Sequence, residues 1–149
     1  MDEVKKRGLP VSEENEKKVR EELRKKHGMA AYAILSLPKI KSALTKGNVL
    51  IDGLYSWSEY VLLKKEFGDK LIIVAVHASP KTRAERLATR TIRPLSSEEV
   101  RARDYAEIEQ LEKGGPIAMA DVVFINEGKL RGLHHQLAVL FEKNKKLFI

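Results

Sequence analysis

A chain of 149 residues has the length of one domain, and 43% apolar with 33% charged residues is the composition of a folded globular protein, not of a disordered or fibrous one. The absence of cysteine rules out disulfides, thiolate metal sites and cysteine nucleophiles; no apolar run approaches the ~20 residues of a membrane span, and MDEVKKRG lacks a signal-peptide core, so the expected location is the cytoplasm and no membrane partner is expected. A net charge of +7 raises nucleic-acid binding, but no RNP, helix-turn-helix or zinc-finger signature accompanies it and the charge is gathered in one stretch, so nucleic acid is not an expected partner.

Taken in chain order, SEENEKKVREELRKK (residues 12–26) predicts a peripheral helix: Ser12 is the N-cap, acids fill the first turns, bases the last, and Gly28 stops it. Residues 29–45 predict a second helix, apolar at Ala30, Ala31, Ala33, Ile34 and Leu37, interrupted or bent near Pro38 and closed by Gly47. NVLID (48–52), LIIVAVHA (71–78) and DVVFIN (121–126) are short apolar runs without polar alternation, the pattern of parallel strands covered on both faces.

Helices fill the gaps between these runs. Residues 57–67 carry Trp57, Tyr60, Val61 and Phe67 at helical spacing, which places Trp57 in the core in preference to a stacking platform. Residues 81–90 follow Pro80; 97–113 open on a Ser96-x-x-Glu99 capping box; 129–143 turn Leu130, Leu133, Leu137, Leu140 and Phe141 toward the sheet. The four histidines show no metal-ligand spacing, and His77 is expected as a packed side chain at a strand end. Strands alternating with helices predict an α/β fold, a three-layer parallel sheet with flanking helices, in a single domain over 1–149. An arm at about 90–104, centred on TIRPLSS (91–97), joins two basic helices and is its most mobile part.

The charge lies mainly where that arm begins. Residues 81–103 hold Lys81, Arg83, Arg86, Arg90, Arg93, Arg101 and Arg103 against Glu85, Glu98 and Glu99, and they contain six of the ten arginines, the residue whose planar fork binds phosphate in bidentate fashion. At 100° per residue, Arg83, Arg86 and Arg90 fall within about 60° of one another on a helix, with Arg93 and Arg103 close enough in sequence to join them. Two arrangements satisfy such a cluster: a solvated face paired with Glu85, Glu98 or Glu99, or a polyphosphate held among the guanidiniums. Its place after the strand at 71–78, on the side where parallel sheets bind ligands, favours the second. Asp52, at the exit of a strand, is either a cap for the following helix or a ligand for Mg²⁺ and phosphate.

Three stretches carry a resemblance. VLIDGLYSWSEYVLL is similar to the strand, Asp-Gly and helix of adenylate kinases; ASPKTRAERLATRTIRP resembles the helix leading into their lid; LSSEEVRARD followed by ADVVFINEG resembles the late part of dephospho-CoA kinases. RGLPVSEEN and EFGDKLIIVAVHASPKTRAERL are similar to an uncharacterised archaeal family related to both. The resemblance covers nearly the whole chain and implies a P-loop nucleotide kinase-like domain using ATP and Mg²⁺. It implies that Arg86 and Arg90, with Arg83 and Arg93 beside them, contact the donor nucleotide and its phosphates, that Arg103 reaches the transferring phosphoryl group, and that the turn Asn126-Glu127-Gly128 lies beside the donor base. Asp52 is implied at the magnesium or the attacking acceptor group.

The resemblance has two gaps. Gly-x-x-x-x-Gly-Lys-Ser/Thr does not occur, and the chain's one Gly-Lys, Gly128-Lys129, follows a late strand. The likeness starts past the family's first strand and phosphate loop, and that strand lies between those matching 48–52 and 71–77. Two buried strands with unpaired backbone between them are too costly to leave open. The expectation is therefore direct pairing of the two strands, a homo-oligomer or another chain that completes the sheet, or a longer parent protein. Adenylate kinases also place an arginine shortly after Asp-Gly, where this chain has Leu54-Tyr55-Ser56 and no base before Lys64. The sequence leaves a phosphotransferase completed by a phosphate loop from elsewhere, or a non-catalytic relative that keeps an anion-binding or protein-interaction surface.

Overall fold

The computed structural model describes residues 2–92 and 94–143. Among the described residues, eight helices and two strands follow one another as α1 (Asp2–Lys6), α2 (Glu13–His27), α3 (Ala31–Leu44), α4 (Trp57–Phe67), β1 (Val74–His77), α5 (Pro80–Thr89), α6 (Ser97–Glu109), α7 (Gly114–Ala118), β2 (Val122–Ile125) and α8 (Leu130–Lys143), with a short 3₁₀ turn at Gly68–Lys70. The chain is a mixed α/β protein, mostly helical, with a small parallel sheet.

The helices begin where side chains can satisfy their first amides. Ser12 caps α2 by accepting from Asn15 N–H; Ser56 caps α4, Ser79 caps α5 and Ser96 caps α6 in the same way. At Ser56 and Ser96 the reciprocal half of the capping box is also made, by Glu59 and Glu99. Gly28 ends α2 at φ 76°, a backbone conformation that suits glycine. The helix over α3 is continuous through Pro38, not broken there. The expected helix over 97–113 stops at Glu109 and gives way to a turn and the five-residue α7.

Two apolar clusters form the interior. Val4, Val19, Leu23 and Ala31, with Leu9 against them, join α1, α2 and the start of α3. Ala33, Ile40 and Leu63, with Leu37, Leu54, Leu62, Phe67 and Leu71, pack α3 on α4 and the turn after it. Ser56 is fully buried, its Oγ donating to the Met29 carbonyl at 3.1 Å.

Among the described residues the sheet has two strands, β1 and β2, parallel with Val74 opposite Val122 and His77 opposite Ile125. Asp121 fixes the start of the register: its carboxylate accepts from Ile73 N–H at 2.7 Å while its own N–H donates to the Ile73 carbonyl at 2.9 Å. On the side of β2 away from β1, the Gln136 amide accepts from Ile125 N–H at 2.9 Å and donates to the Ile125 carbonyl at 2.8 Å, taking the place of a further strand at that residue.

The expected strand at 48–52 is not a strand. It pairs with neither β1 nor β2, and Leu50 is 96% exposed. An apolar run becomes a strand only when a neighbouring strand takes its backbone groups, and among the described residues no strand pairs with it. Of the three expected strands the described residues therefore keep two, and direct pairing of 48–52 with β1 does not occur. Related expectations of burial fail with it. Trp57 is 37% exposed, His77 ends β1 in an exposed position, and on α8 Leu130, Leu137 and Phe141 are exposed instead of covered by the sheet.

The accessible surface shows how much is left open. It is 11287 Å² for a chain of 16.9 kDa, whereas a compact monomer of that mass presents about 7,700 Å². Val74 and Val76 on β1 and Val123 and Ile125 on β2 are among the exposed apolar side chains, and among the described residues no strand covers the outer edge of β1.

Candidate functional site

In a parallel pair both strands release the chain at the same end, so the turns after β1 and β2 are neighbours. The first, Ala78-Ser79, leads into α5; the second, Asn126-Glu127-Gly128, leads into α8. Side chains from α5 and from the second turn stitch the two together.

Arg83, one turn into α5, donates from Nη1 to the Ala78 carbonyl and from Nη2 to Asp104 Oδ2, both at 2.6 Å, which ties the β1 exit to α6. Arg86, the next residue on that face, donates from Nη1 to the Asn126 carbonyl at 2.7 Å and from Nη2 to the Gly128 carbonyl at 2.8 Å. Its fork therefore clamps the second turn on both sides of Glu127. The Glu127 carboxylate points back to the start of α5, where it accepts from Ser79 N–H, from Ser79 Oγ at 3.1 Å and from Thr82 Oγ1. The first turn of a helix, with unsatisfied amides and the positive end of its dipole, is where an anion is favoured. Here that anion belongs to the protein. Hydrogen bonds from Thr82 and from Ser79 N–H hold the Glu127 carboxyl below its ordinary value of 4.5 against a smaller opposing effect of burial, and Ser79 Oγ and the His77 charge add to the lowering.

Of the residues singled out from the sequence, Arg83, Arg86, Asn126 and Gly128 converge on this end of the sheet. Arg90 is the C-cap of α5. Arg93 lies outside the described residues. Arg103, on α6, donates from Nε to Glu107 Oε1 at 3.2 Å one turn along its own helix, and Glu107 also takes the Lys113 ammonium. Burial pushes the Glu107 carboxyl up; the hydrogen bond and charge of Lys113, then those of Arg103, outweigh it and hold it low.

Asp52 is exposed and has no hydrogen-bond or ion-pair partner among the described residues. It does not cap α4, because Ser56 does. No group of three or more metal-ligating side chains occurs among the described residues, so a Mg²⁺ at Asp52 would take its other ligands from phosphate and water, the usual way this ion is held. Sequence reading placed Glu127 in the turn beside the donor base and passed over Ser79, Thr82 and Asp104. Ser79-Pro80, an N-cap followed by proline, was the available signal that an anion acceptor stands at that helix start.

No family model matches the chain. A "UPF0200 protein" of Thermococcus gammatolerans is 38% identical over 146 residues, covering 95% of this chain and 76% of that protein. One from Thermococcus sibiricus is 36% identical over 154 residues, covering 99% and 80%. A "UPF0200/UPF0201 protein" of Archaeoglobus fulgidus is 36% identical over 130 residues, which are 85% of this chain and 40% of that longer protein.

Proposed function

The chain belongs to the UPF0200 family, and from that premise we propose that it is a nucleotide kinase-like domain, related to dephospho-CoA kinases and adenylate kinases, that binds nucleotide phosphates through its arginine cluster. The observation that carries the reading is the convergence of Arg83 and Arg86 on the two strand-to-helix turns at the carboxyl end of β1 and β2. That is the end of the strands at which open α/β sheets hold ligands. A triphosphate entering there competes with the Glu127 carboxylate for Ser79 and Thr82 and with backbone carbonyls for Arg86, exchanging one set of charge-assisted hydrogen bonds for another.

Phosphoryl transfer is mostly positioning and neutralisation of charge on phosphate oxygens. In this reading ATP and Mg²⁺ are required. Arg86 and Arg90 hold the donor phosphates, Arg103 leaves Glu107 to meet the transferring group, and Asp52 orients the metal or the acceptor. Backbone amides for the β-phosphate are supplied from outside the 149 residues, because no Gly-x-x-x-x-Gly-Lys-Ser/Thr occurs within them. The P-loop-like three-layer architecture is part of the same proposal. A strand from a second copy, or from another polypeptide segment, pairs with the open edge of β1 on one side and with 48–52 on the other, covering the exposed Val74, Val76 and Leu50.

A second reading has its own support. Arg83 and Arg86 are both engaged by protein acceptors, as expected of a non-catalytic relative that keeps the charged surface for anions or protein partners without turnover. Calorimetric titration with ATP, with and without Mg²⁺, together with a phosphate-transfer assay, separates the two. The kinase-like reading predicts saturable binding strengthened by Mg²⁺, with transfer once a phosphate loop is added. Binding that is salt-sensitive, indifferent to Mg²⁺ and never followed by transfer supports the second. No ATP binding at all removes the first.

A further inference from the structure

The chain leaves α6 through Glu112, the one non-glycine of positive φ among the described residues, at 53°, a left-handed residue of the kind that ends helices and is usually glycine. Its N–H donates to the Ile108 carbonyl at 3.2 Å, and the reversal carries Lys113 back along the helix. There the Lys113 N–H donates to the Glu107 carbonyl at 3.1 Å and the ammonium donates to the Glu107 carboxylate. Lys113 is therefore held to Glu107 by backbone and side chain together, in a pair whose side chains are only 28% and 19% exposed. Salt screens such a part-buried pair much less than one in open solvent.

The fixed cation reaches the entry to α4. Lys113 Nζ lies 5.3 Å from the centroid of the Tyr55 ring, within the range of a cation–π contact. The Tyr55 N–H donates to Glu59 Oε2 at 2.9 Å, so this residue is fixed at its backbone as well as at its ring. The ring lies against Gly53: a Cβ there would be 2.7 Å from Tyr55 Cε2, and φ at that glycine is 95°, where only glycine is unstrained. The same α6–α7 turn also holds the aromatic on the other side of Ser56, since a Cβ at Gly115 would lie 2.6 Å from Trp57 Cε3.

We propose that Glu107, Lys113 and Tyr55 are positioning residues for Asp52, forming an interlock in which the carboxylate fixes the ammonium, the ammonium fixes the ring, and the ring fixes the Asp52-Gly53 turn. The end of α6 thus sets the direction of a carboxylate that precedes α4. Arg103 shares Glu107 but takes its other oxygen, Oε1, so Lys113 keeps its place when Arg103 is drawn away. The interlock itself needs no nucleotide; only the chemical use of Asp52 rests on the kinase-like reading.

The α-protons of Gly53 report the interlock directly, because an aromatic ring against one of them separates its resonance from that of its twin. In the labelled full chain the two resonances should be well separated. Tyr55→Phe, which keeps the ring, should preserve the separation, and Tyr55→Leu should collapse it. Lys113→Met, which keeps the apolar stem and removes the charge, and Glu107→Gln should each move it toward the Tyr55→Leu value, with the circular dichroism spectrum of the parent retained. In the parent, nuclear Overhauser contacts are expected from the Tyr55 ring to the Gly53 α-protons and to the Lys113 side chain. A separation unchanged in Tyr55→Leu, or unchanged in Lys113→Met or in Glu107→Gln, would overturn the proposal. So would the absence of either Overhauser contact in the parent, a reading that holds even where a variant does not fold. No nucleotide enters these measurements, so failure here leaves ATP binding at the strand ends untouched, and absence of ATP binding leaves the interlock untouched.

Discussion

Replacing Ser56 by alanine, set beside the same change at Asp52, tests whether Asp52 is spared for chemistry. Ser56 Oγ accepts from Glu59 N–H at 3.1 Å and donates to the Met29 carbonyl at 3.1 Å, in a residue that is 1% exposed. Loss of an N-cap costs about 1 kcal/mol. Leaving the part-buried Met29 carbonyl without its donor adds roughly 1–2 kcal/mol. The expected total is about 2–3 kcal/mol, which for a chain of this length lowers the melting temperature by roughly 5–10 °C. Asp52→Ala, which removes an exposed carboxylate without a partner among the described residues, should stay within about 0.5 kcal/mol of the parent. Urea denaturation followed by circular dichroism reads both, with an unchanged slope showing that only stability has moved. If Asp52→Ala costs as much as Ser56→Ala, then Asp52 is a structural residue of the α4 entry and its place in the proposed active site is lost.

Other outcomes follow from the strand-end contacts. Arg86→Ala combined with Arg90→Ala should abolish ATP binding in calorimetry while the far-ultraviolet spectrum is retained; unchanged affinity removes the arginine site. Glu127 and Glu107 are both held below the ordinary carboxylate value, so the unfolded chain takes up protons first as the medium is acidified. Their contribution to stability is complete above that value and is lost as pH falls through the lowered one. Stability measured across the acid limb should therefore fall less steeply in Glu127→Gln than in the parent, and identical limbs contradict a stabilising role for the Glu127 contacts with Ser79 and Thr82. If a second copy completes the sheet, light scattering should give a mass above 16.9 kDa, and Leu50→Asp, at a side chain already 96% exposed, should reduce it. A mass of one chain at all concentrations assigns the open edge to a different polypeptide.

The helices were legible because their start signals are local: serines at positions 12 and 96 and the apolar spacing of 57–67 are read within a few residues of where they act. The 48–52 run was misread for the opposite reason. Its composition matches a buried strand, but a strand is defined by its neighbour, and that is not written in the run itself. The same missing cover explains Trp57 and the exposed leucines of α8. At the site, position was readable and engagement was not. The spacing of Arg83, Arg86 and Arg90 placed them on one helix face, while the partners that Arg83 and Arg86 take, Asp104 and the carbonyls of residues 126 and 128, come from elements distant in sequence. Glu127 was placed in the turn beside the donor base, but its carboxylate's engagement with α5 was not legible, because Ser79 and Thr82 lie 48 and 45 residues away in the chain.

The measurement that bears most directly on the central claim is a titration of the isotopically labelled chain with ATP and Mg²⁺, followed through its backbone amide resonances. The account predicts saturable shifts concentrated at Ser79, Thr82 and residues 126–128 as the triphosphate displaces the Glu127 carboxylate and draws on Arg86. Amides at those positions that stay unmoved at saturating nucleotide, or a spectrum that does not respond at all, would contradict it.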